Sequence, residues 1–362
     1  MTPSMKIQSY RSTYEVQFPE DFAPALREVL RPGDFLVIDQ NIARLHANRI
    51  DPFRAEYPHH LLTPAEPQKS YQGVEPLMDH LIRSGFRKNH RLVAIGGGIT
   101  QDVTAFIASI LYRGVGWIFV PTNLLSQCDS CIGSKTSINF GTFKNQIGGF
   151  YPPLLILNDI SFLDTLPPEE IRSGMGEMFH YFLLTGRADF DRVVREYDAA
   201  LTDRAVLRGL MRRSLEIKKA MIEVDEFDEG PRNVFNYGHS FGHALESYTN
   251  YAIPHGIAIC FGMDIANHVS VTLGLLPAEA AAEMRTLLER NWRPTTAVVT
   301  DLDRYLGILG KDKKNHGSDV RVILTRGLGD MFLTRIALDS RVRETISRCF
   351  EYHAKPSKVL ES

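Results

Sequence analysis

Cysteine is scarce: the 362 residues contain four (Cys128, Cys131, Cys260 and Cys349), too few for a disulfide framework. Cys128 and Cys131 form a CxxC pair, but no second CxxC completes a four-thiolate metal site. They read as two small side chains in a packed loop. No apolar run approaches the roughly 20 residues of a membrane-spanning helix. The opening residues MTPSMKIQSYRS lack the apolar stretch of a secretory signal. The expectation is a cytoplasmic chain with no membrane partner. An excess of one charge is missing too: 41 Lys and Arg stand against 43 Asp and Glu, a net charge of -2. Such a balance argues against a polyanion-binding surface, and so against nucleic acid as a partner. The chain also lacks internal repeats, low-complexity tracts and a GxGxxG fingerprint.

Hydrophobic residues make up 44% of the chain and charged residues 23%, an ordinary balance for a folded enzyme. The length suits two domains. Phe35–Ile38, Arg91–Ile95, Trp117–Val120 and Leu154–Leu157 are short continuous apolar runs, as expected of strands covered on both faces. Between them, Gly73–Ser84 and Asp102–Tyr112 carry apolar residues at helical spacing. Alternating strands and helices predict a parallel, doubly wound, Rossmann-like α/β sheet domain. After the proline pair Pro167-Pro168 the strand signals fade, and helical patterns run through Pro168–Leu184, Asp203–Val224, His239–Tyr248, Ile257–Leu273 and Ala278–Asn291. The reading is an α/β domain over residues 1–165 and a mainly α-helical domain over 166–362, with the cleft between domains as the default site.

Three stretches carry chemistry. Gly96-Gly97-Gly98 joins a strand to a helix, where glycines let backbone approach a phosphate and the helix N-terminus favours its charge. Lys135, Lys144 and Asn145 lie in a loop rich in Gly, Ser and Thr, a plausible anion cradle. His239 and His243 stand one helical turn apart, and His255 follows sixteen residues after His239. Three imidazoles at this spacing read either as metal ligands or as satisfied structural histidines.

Taken in order, GGGITQD, YRGVGWIFVPT, DSCIGSKTSIN…KNQIGGFY, LDTLPPEEIRSGMGE, DEFDEGPRNVFNYGHSFGHALE and PHGIA resemble the sugar phosphate cyclase family of the dehydroquinate synthase type. The resemblance runs from about Asp39 to Lys314, most of the chain. It implies a dehydroquinate synthase-like fold and a divalent metal, Zn2+ with Co2+ as an alternative, held by Glu177, His239 and His255. It implies NAD near Asp39, Asn41, Glu66, Lys69, Gly96, Gly97, Gly98, Asp102, Thr122, Asp129, Phe162 and Thr165, with Asn123 standing where a second threonine is usual. Substrate groups match Arg113, Lys135, Lys144, Asn145, Arg232, Asn236 and His243, with one lysine from Lys218 or Lys219 and another from Lys313 or Lys314. The arginine matching Arg113 reaches a neighbouring subunit in the family, which implies a homodimer.

The implied activity is a phosphate-eliminating lyase acting on a sugar phosphate. Transient oxidation by NAD, phosphate β-elimination, re-reduction and intramolecular aldol closure would form a carbocycle. The family's lysine three residues after the glutamate ligand is His180 here, and Ile257 replaces the acidic residue after the last His-Gly. The arginine matching Arg232 suits a substrate carboxylate in the family, and its fork geometry fits a bidentate contact, which implies a seven-carbon 2-keto acid phosphate; a structural ion pair with Glu226, Asp228 or Glu229 is the other reading. A divergent cyclase with another sugar phosphate, a metal-dependent NAD polyol dehydrogenase and an inert phosphosugar binder are the competing readings.

Overall fold

Two of the apolar runs become strands with no exposed face, Phe35–Asp39 and Arg91–Gly96 being buried at every position, whereas Leu154, expected in a covered strand, is exposed ahead of the strand Leu155–Leu157. The computed structural model describes residues 3–141, 143–293, 295–310 and 319–355. By internal contacts the chain forms two compact units. The first comprises the chain up to Pro167 together with Lys218–Phe227; the second comprises Pro168–Ile217 and the chain from Asp228 on. Among the described residues, no helix is long and apolar enough to cross a membrane.

The first unit contains strands β1 (Ser4–Ile7), β2 (Tyr14–Gln17), β3 (Phe35–Asp39), β4 (His59–Leu62), β5 (Arg91–Gly96), β6 (Gly116–Pro121), β7 (Lys135–Phe140), β8 (Phe143–Phe150) and β9 (Leu155–Leu157). Seven of them form one sheet in the order β1-β2-β9-β6-β5-β3-β4, parallel except for the β1–β2 edge. The chain moves outward from β3 to β4, then crosses to β5 and proceeds the other way to β6. The β3/β5 border is therefore the topological switch point, where open α/β sheets bind ligands at the carboxyl ends of their strands. Asp39 ends β3 and Gly96 ends β5 at that border. β7 and β8 form a separate antiparallel hairpin with a register shift between Ile138 and Phe140. Sequence periodicity did not anticipate the β1–β2 or β7–β8 pairs.

Residues 218–227 complete the first unit through its N-terminal segment. Glu223 accepts from the Gln8 amide at 2.9 Å, and Glu226 accepts from Ser9 Oγ and the Tyr10 amide at 2.7 and 2.8 Å. The Phe227 ring lies 5.5 Å from Tyr10 and 4.8 Å from Phe150.

In the second unit the helix His255–Thr272 is buried almost all round, as expected of a central helix. Three groups satisfy its one acidic residue, Asp264. Arg285 binds the carboxylate bidentately at 2.8 and 2.7 Å, His353 Nε2 lies at 2.7 Å and His268 Nε2 at 3.6 Å. The unit also carries an antiparallel hairpin, β10 (Asp319–Thr325) with β11 (Met331–Ala337), which corrects the expectation that strands end with the first domain.

The thiols of Cys128 and Cys131 are buried on the turn around Ser126–Ser130. Burial pushes Cys131 up to about 12, which keeps it an inert thiol.

Candidate active site

At the switch point the three glycines have different reasons to be glycine. A Cβ on Gly96 would meet Thr100 Oγ1 at 2.5 Å, and one on Gly97 would meet Asn123 Nδ2 at 2.8 Å. Gly98 faces open space, so no packing demand forbids a side chain there. Its bareness leaves the N-terminus of the helix Gly98–Ile110 open to an approaching group. Asp39 lies one strand away and caps the next helix, Oδ1 accepting from the Asn41 and Ile42 amides at 2.8 and 3.4 Å. Burial pushes its carboxyl up, against the opposing effect of those amides. The Thr122 amide bonds the Gly96 carbonyl at 3.0 Å, and Asn123 Oδ1 accepts from the Ser126 amide at 3.0 Å. Thr165 Oγ1 lies 2.9 Å from His46 Nε2. Phe162 is fully buried against Phe22 and His46, so its ring belongs to the core.

Two hairpin residues, Lys144 and Asn145, and three residues assigned to the cofactor, Glu66, Lys69 and Asp102, form one polar group. Lys69 Nζ lies 2.7 Å from Asp102 and 3.0 Å from Asn145 Oδ1, while Lys144 Nζ is 3.7 Å from Glu66. Asn145 has a left-handed backbone, φ 53°, a conformation that asparagine tolerates better than most non-glycine residues. The residue that holds this turn is Asn139, to which spacing gave no role. Its Oδ1 accepts from the Asn145 amide at 2.9 Å and its Nδ2 donates to Glu66 at 2.8 Å. Its own amide donates to the Lys69 carbonyl at 2.6 Å. The signal was present in SINFGTFKN, where a buried asparagine interrupts an otherwise alternating strand.

Lys218 and Lys219 are now distinguishable. Lys218 Nζ is buried and donates to the Asp129 carboxylate at 2.7 Å and to its carbonyl at 2.8 Å. Lys219 forms a one-turn helical pair with Glu223 at 2.8 Å. Tyr112, Arg113 and Gly114 occupy the left-handed region in succession, at φ 49°, 62° and 104°. Lys88 donates to the carbonyls of Tyr112 and Gly114, holding a strained turn that leaves Arg113 exposed. Lys313 and Lys314 lie outside the described residues.

In the second unit, glycines bring the helices together beside each candidate metal ligand. A Cβ on Gly256 would lie 1.7 Å from the Ser173 carbonyl oxygen, and one on Gly176 would lie 2.1 Å from that of Gly256. A Cβ on Gly262 would likewise lie 2.0 Å from the Gly238 carbonyl oxygen. Gly176 precedes Glu177, Gly238 precedes His239, and Gly256 follows His255. Backbone-to-backbone contact thus sets the spacing of these three side chains. Gly256→Ala should cost about 1–3 kcal/mol of stability by overpacking and should weaken metal retention. Thermal unfolding and metal content check this, and an unshifted melting point would contradict it.

Glu177 is buried, and its two oxygens face His239 Nε2 at 3.5 Å and His255 Nε2 at 3.3 Å. Its Oε2 makes no well-formed hydrogen bond. Burial alone would push this carboxyl up, but the rings of His239, His180 and His255 outweigh it and hold it well below the usual range. A buried carboxylate facing two imidazoles is compensated either by ring protons or by a cation that all three ligate. The donor set, one carboxylate and two imidazoles, suits zinc or cobalt. Nitrogens of His239, His243 and His255 also lie within 4.8 Å of one another, but His243 is exposed and borders the group. His180, fully buried, places Nδ1 3.7 Å from Glu177 and its ring 5.4 Å from that of His239. Arg232 is buried on the short turn Pro231–Asn236, where Asn236 Nδ2 donates to the Asn233 carbonyl at 3.0 Å.

The family described as 3-dehydroquinate synthase N-terminal matches residues 59–173, and 3-dehydroquinate synthase C-terminal matches residues 174–315. The 3-dehydroquinate synthase of Rhodospirillum rubrum is 36% identical over 341 residues, covering 90% of this chain and 87% of that protein. That of Acidithiobacillus ferrooxidans is 34% identical over 338 residues, covering 91% and 92%. Among solved structures, a 2-deoxy-scyllo-inosose synthase complexed with carbaglucose-6-phosphate, NAD+ and Co2+ shares the fold at TM-score 0.84 and 22% identity, over 96% of this chain and 100% of that one. The 2-epi-5-epi-valiolone synthase of Streptomyces hygroscopicus, with NAD+ and Zn2+ bound, shares it at TM-score 0.84 and 23% identity, over 94% and 97%. Glycerol dehydrogenase from Schizosaccharomyces pombe matches less well, at TM-score 0.62 and 15% identity over 88% and 83%.

Proposed function

The chain belongs to the 3-dehydroquinate synthase family, and from that membership we propose that it closes a sugar phosphate into a carbocycle as a phosphate-eliminating lyase, using NAD and a divalent metal. The observation that carries the reading is the buried Glu177 faced by His239 and His255. NAD supplies a reversible hydride acceptor, and the metal supplies a Lewis acid that acidifies a bound hydroxyl.

Each group of residues then has a defined task. Glu177, His239 and His255 hold the metal, zinc being the expected ion. Asp39, Asn41, Gly96–Gly98, Asp102 and Thr122 receive the dinucleotide at the carboxyl ends of the strands, with Glu66, Lys69, Asn123, Asp129, Phe162 and Thr165 shaping that region. Lys135, Lys144 and Asn145 attract the phosphate and stabilise its departing charge. Arg113, presented on its strained turn, serves the site of a second copy in a homodimer. Lys218 orients Asp129, whose carboxylate it holds. His243 is exposed beside the metal group and carries a proton to or from the reacting oxygen. His180 supports Glu177 from within the buried helix, and Asn236 lines the same turn as Arg232.

Arg232 decides the substrate class: a guanidinium fork matches a carboxylate, which a seven-carbon 2-keto acid phosphate offers. Phosphate release measured over C6 and C7 sugar phosphates, with and without a carboxylate, tests this. Arg232→Ala should lower kcat/KM for the carboxylate-bearing substrate by about 10–100-fold, the worth of a charge-assisted hydrogen bond. On a neutral sugar phosphate the change should stay below about threefold. Equal effects on both would transfer the preference to a carboxylate-free sugar phosphate, and NADH accumulating without phosphate release would establish the dehydrogenase reading instead.

A further inference from the structure

His255 faces a carboxylate from each ring nitrogen. Its Nε2 lies 3.3 Å from Glu177 Oε2, and its Nδ1 lies 3.2 Å from Glu246 Oε2. The motif reading gave Glu246 no role. It stands seven residues after His239 on the helix His239–Tyr248, on the face that also carries His243. We propose that Glu246 is a positioning residue for the metal centre: it accepts the Nδ1–H of His255, fixes the ring's tautomer and turns Nε2 toward the position shared with Glu177 and His239.

Three observations support this assignment. First, an imidazole that ligates a metal through one nitrogen needs a hydrogen-bond acceptor at the other. A carboxylate there both orients the ring and raises its basicity. Second, Glu246 is only 9% exposed, an uncommon place for a carboxylate without a dedicated partner. Its Oε2 lies nearer to His255 Nδ1 than to His243 Nε2, which is 4.0 Å away. Third, the backbone between Glu246 and His255 is bent at a cost. Asn250 and Tyr251 are consecutive non-glycine residues in the left-handed region, at φ 51° and 61°. The Tyr251 amide closes that turn on the Glu246 carbonyl at 2.7 Å. The reversal brings His255, at the start of the next helix, back to the side chain of Glu246.

The proposal rests on Glu177, His239 and His255 being the ligands, so its test must separate the two ideas. The metal-stripped protein is titrated with Co2+, following the visible absorption of the bound ion. The ring nitrogens of His255 are also observed by 15N NMR in the Zn2+-loaded protein. Glu246→Gln, nearly the same shape, should bind Co2+ about 10-fold more weakly and Glu246→Ala about 100-fold more weakly, the range for a lost outer carboxylate. Both should change the cobalt spectrum, and the wild-type ring should carry its proton on Nδ1. Wild-type affinity and an unchanged spectrum in Glu246→Gln would overturn the proposal, as would a proton on Nε2. His255→Ala is the control: if it binds Co2+ as tightly as wild type, the ligand assignment itself fails. Circular dichroism of Glu246→Gln should match wild type. If that variant is unfolded, the residue is structural and the proposal falls.

Discussion

His239→Ala is expected to purify without its metal and to lose about three orders of magnitude in turnover. Losing the Lewis acid removes several kcal/mol of transition-state stabilisation, and each 1.36 kcal/mol is a factor of ten. The variant should still fold, because His239 is only partly buried at the start of its helix and its Nδ1 meets just the Tyr237 carbonyl, at 3.2 Å. Elemental analysis of the purified protein and phosphate release measure the two effects together. His243→Ala is the informative comparison. If Glu177 completes the ligand set, this variant keeps its metal and loses about 10²–10⁴-fold in rate through proton transfer alone. If the three histidines are the ligands instead, both variants lose the metal. A His239→Ala protein with normal metal content would remove this residue from the centre altogether.

The second large effect lies away from the chemistry. Asp264→Asn should destabilise the protein by about 3–5 kcal/mol, the range for breaking a buried ion pair from one side. The neutral amide would leave the partly buried Arg285 guanidinium without its charge partner. Burial alone would push the Asp264 carboxyl up, but hydrogen bonds with His268, His353 and Arg285 hold it well below the usual range. A depressed folded-state value means that the unfolded chain binds the proton more readily. The stabilisation is therefore complete above about pH 4, the ordinary aspartate range, and declines as pH falls toward the folded value. Urea midpoints for wild type and Asp264→Asn should differ most near pH 7 and converge in acid. Equal midpoints at pH 7 would show that the network contributes nothing net.

Sequence patterns recovered those parts of the fold whose physics is local. Phe35–Ile38, Arg91–Ile95 and Trp117–Val120 are legible as β3, β5 and β6 because burial on both faces requires continuous apolar residues. The hairpin β10–β11 was missed although Val320, Val322, Ile323 and Thr325 are strong strand formers, because residues 166–362 were read by their helical spacing alone. The choice between Lys218 and Lys219 was undecidable from spacing, since adjacent residues on a helix face different surroundings and only the packed structure says which face meets Asp129. Asn139 and Glu246 went unrecognised for a related reason. Each acts through a second residue, and motif spacing locates chemical groups without locating what holds them in place. The glycines beside Glu177, His239 and His255 were visible as letters, but their purpose appears only when a Cβ is found to collide with a facing backbone.

The way the first unit is completed has a consequence for how the chain is made. Gln8 meets Glu223, a partner 215 residues later, and Ser9 and Tyr10 meet Glu226. A ribosome adding about 5–20 residues per second needs roughly 10–40 s to span that interval. During that time the nascent sheet is assembled while the segment following β1 waits for its cover. The first unit therefore does not finish in order of synthesis, although it contains the N-terminus. A chain ending near Pro167 would lack the partners of Gln8, Ser9 and Tyr10.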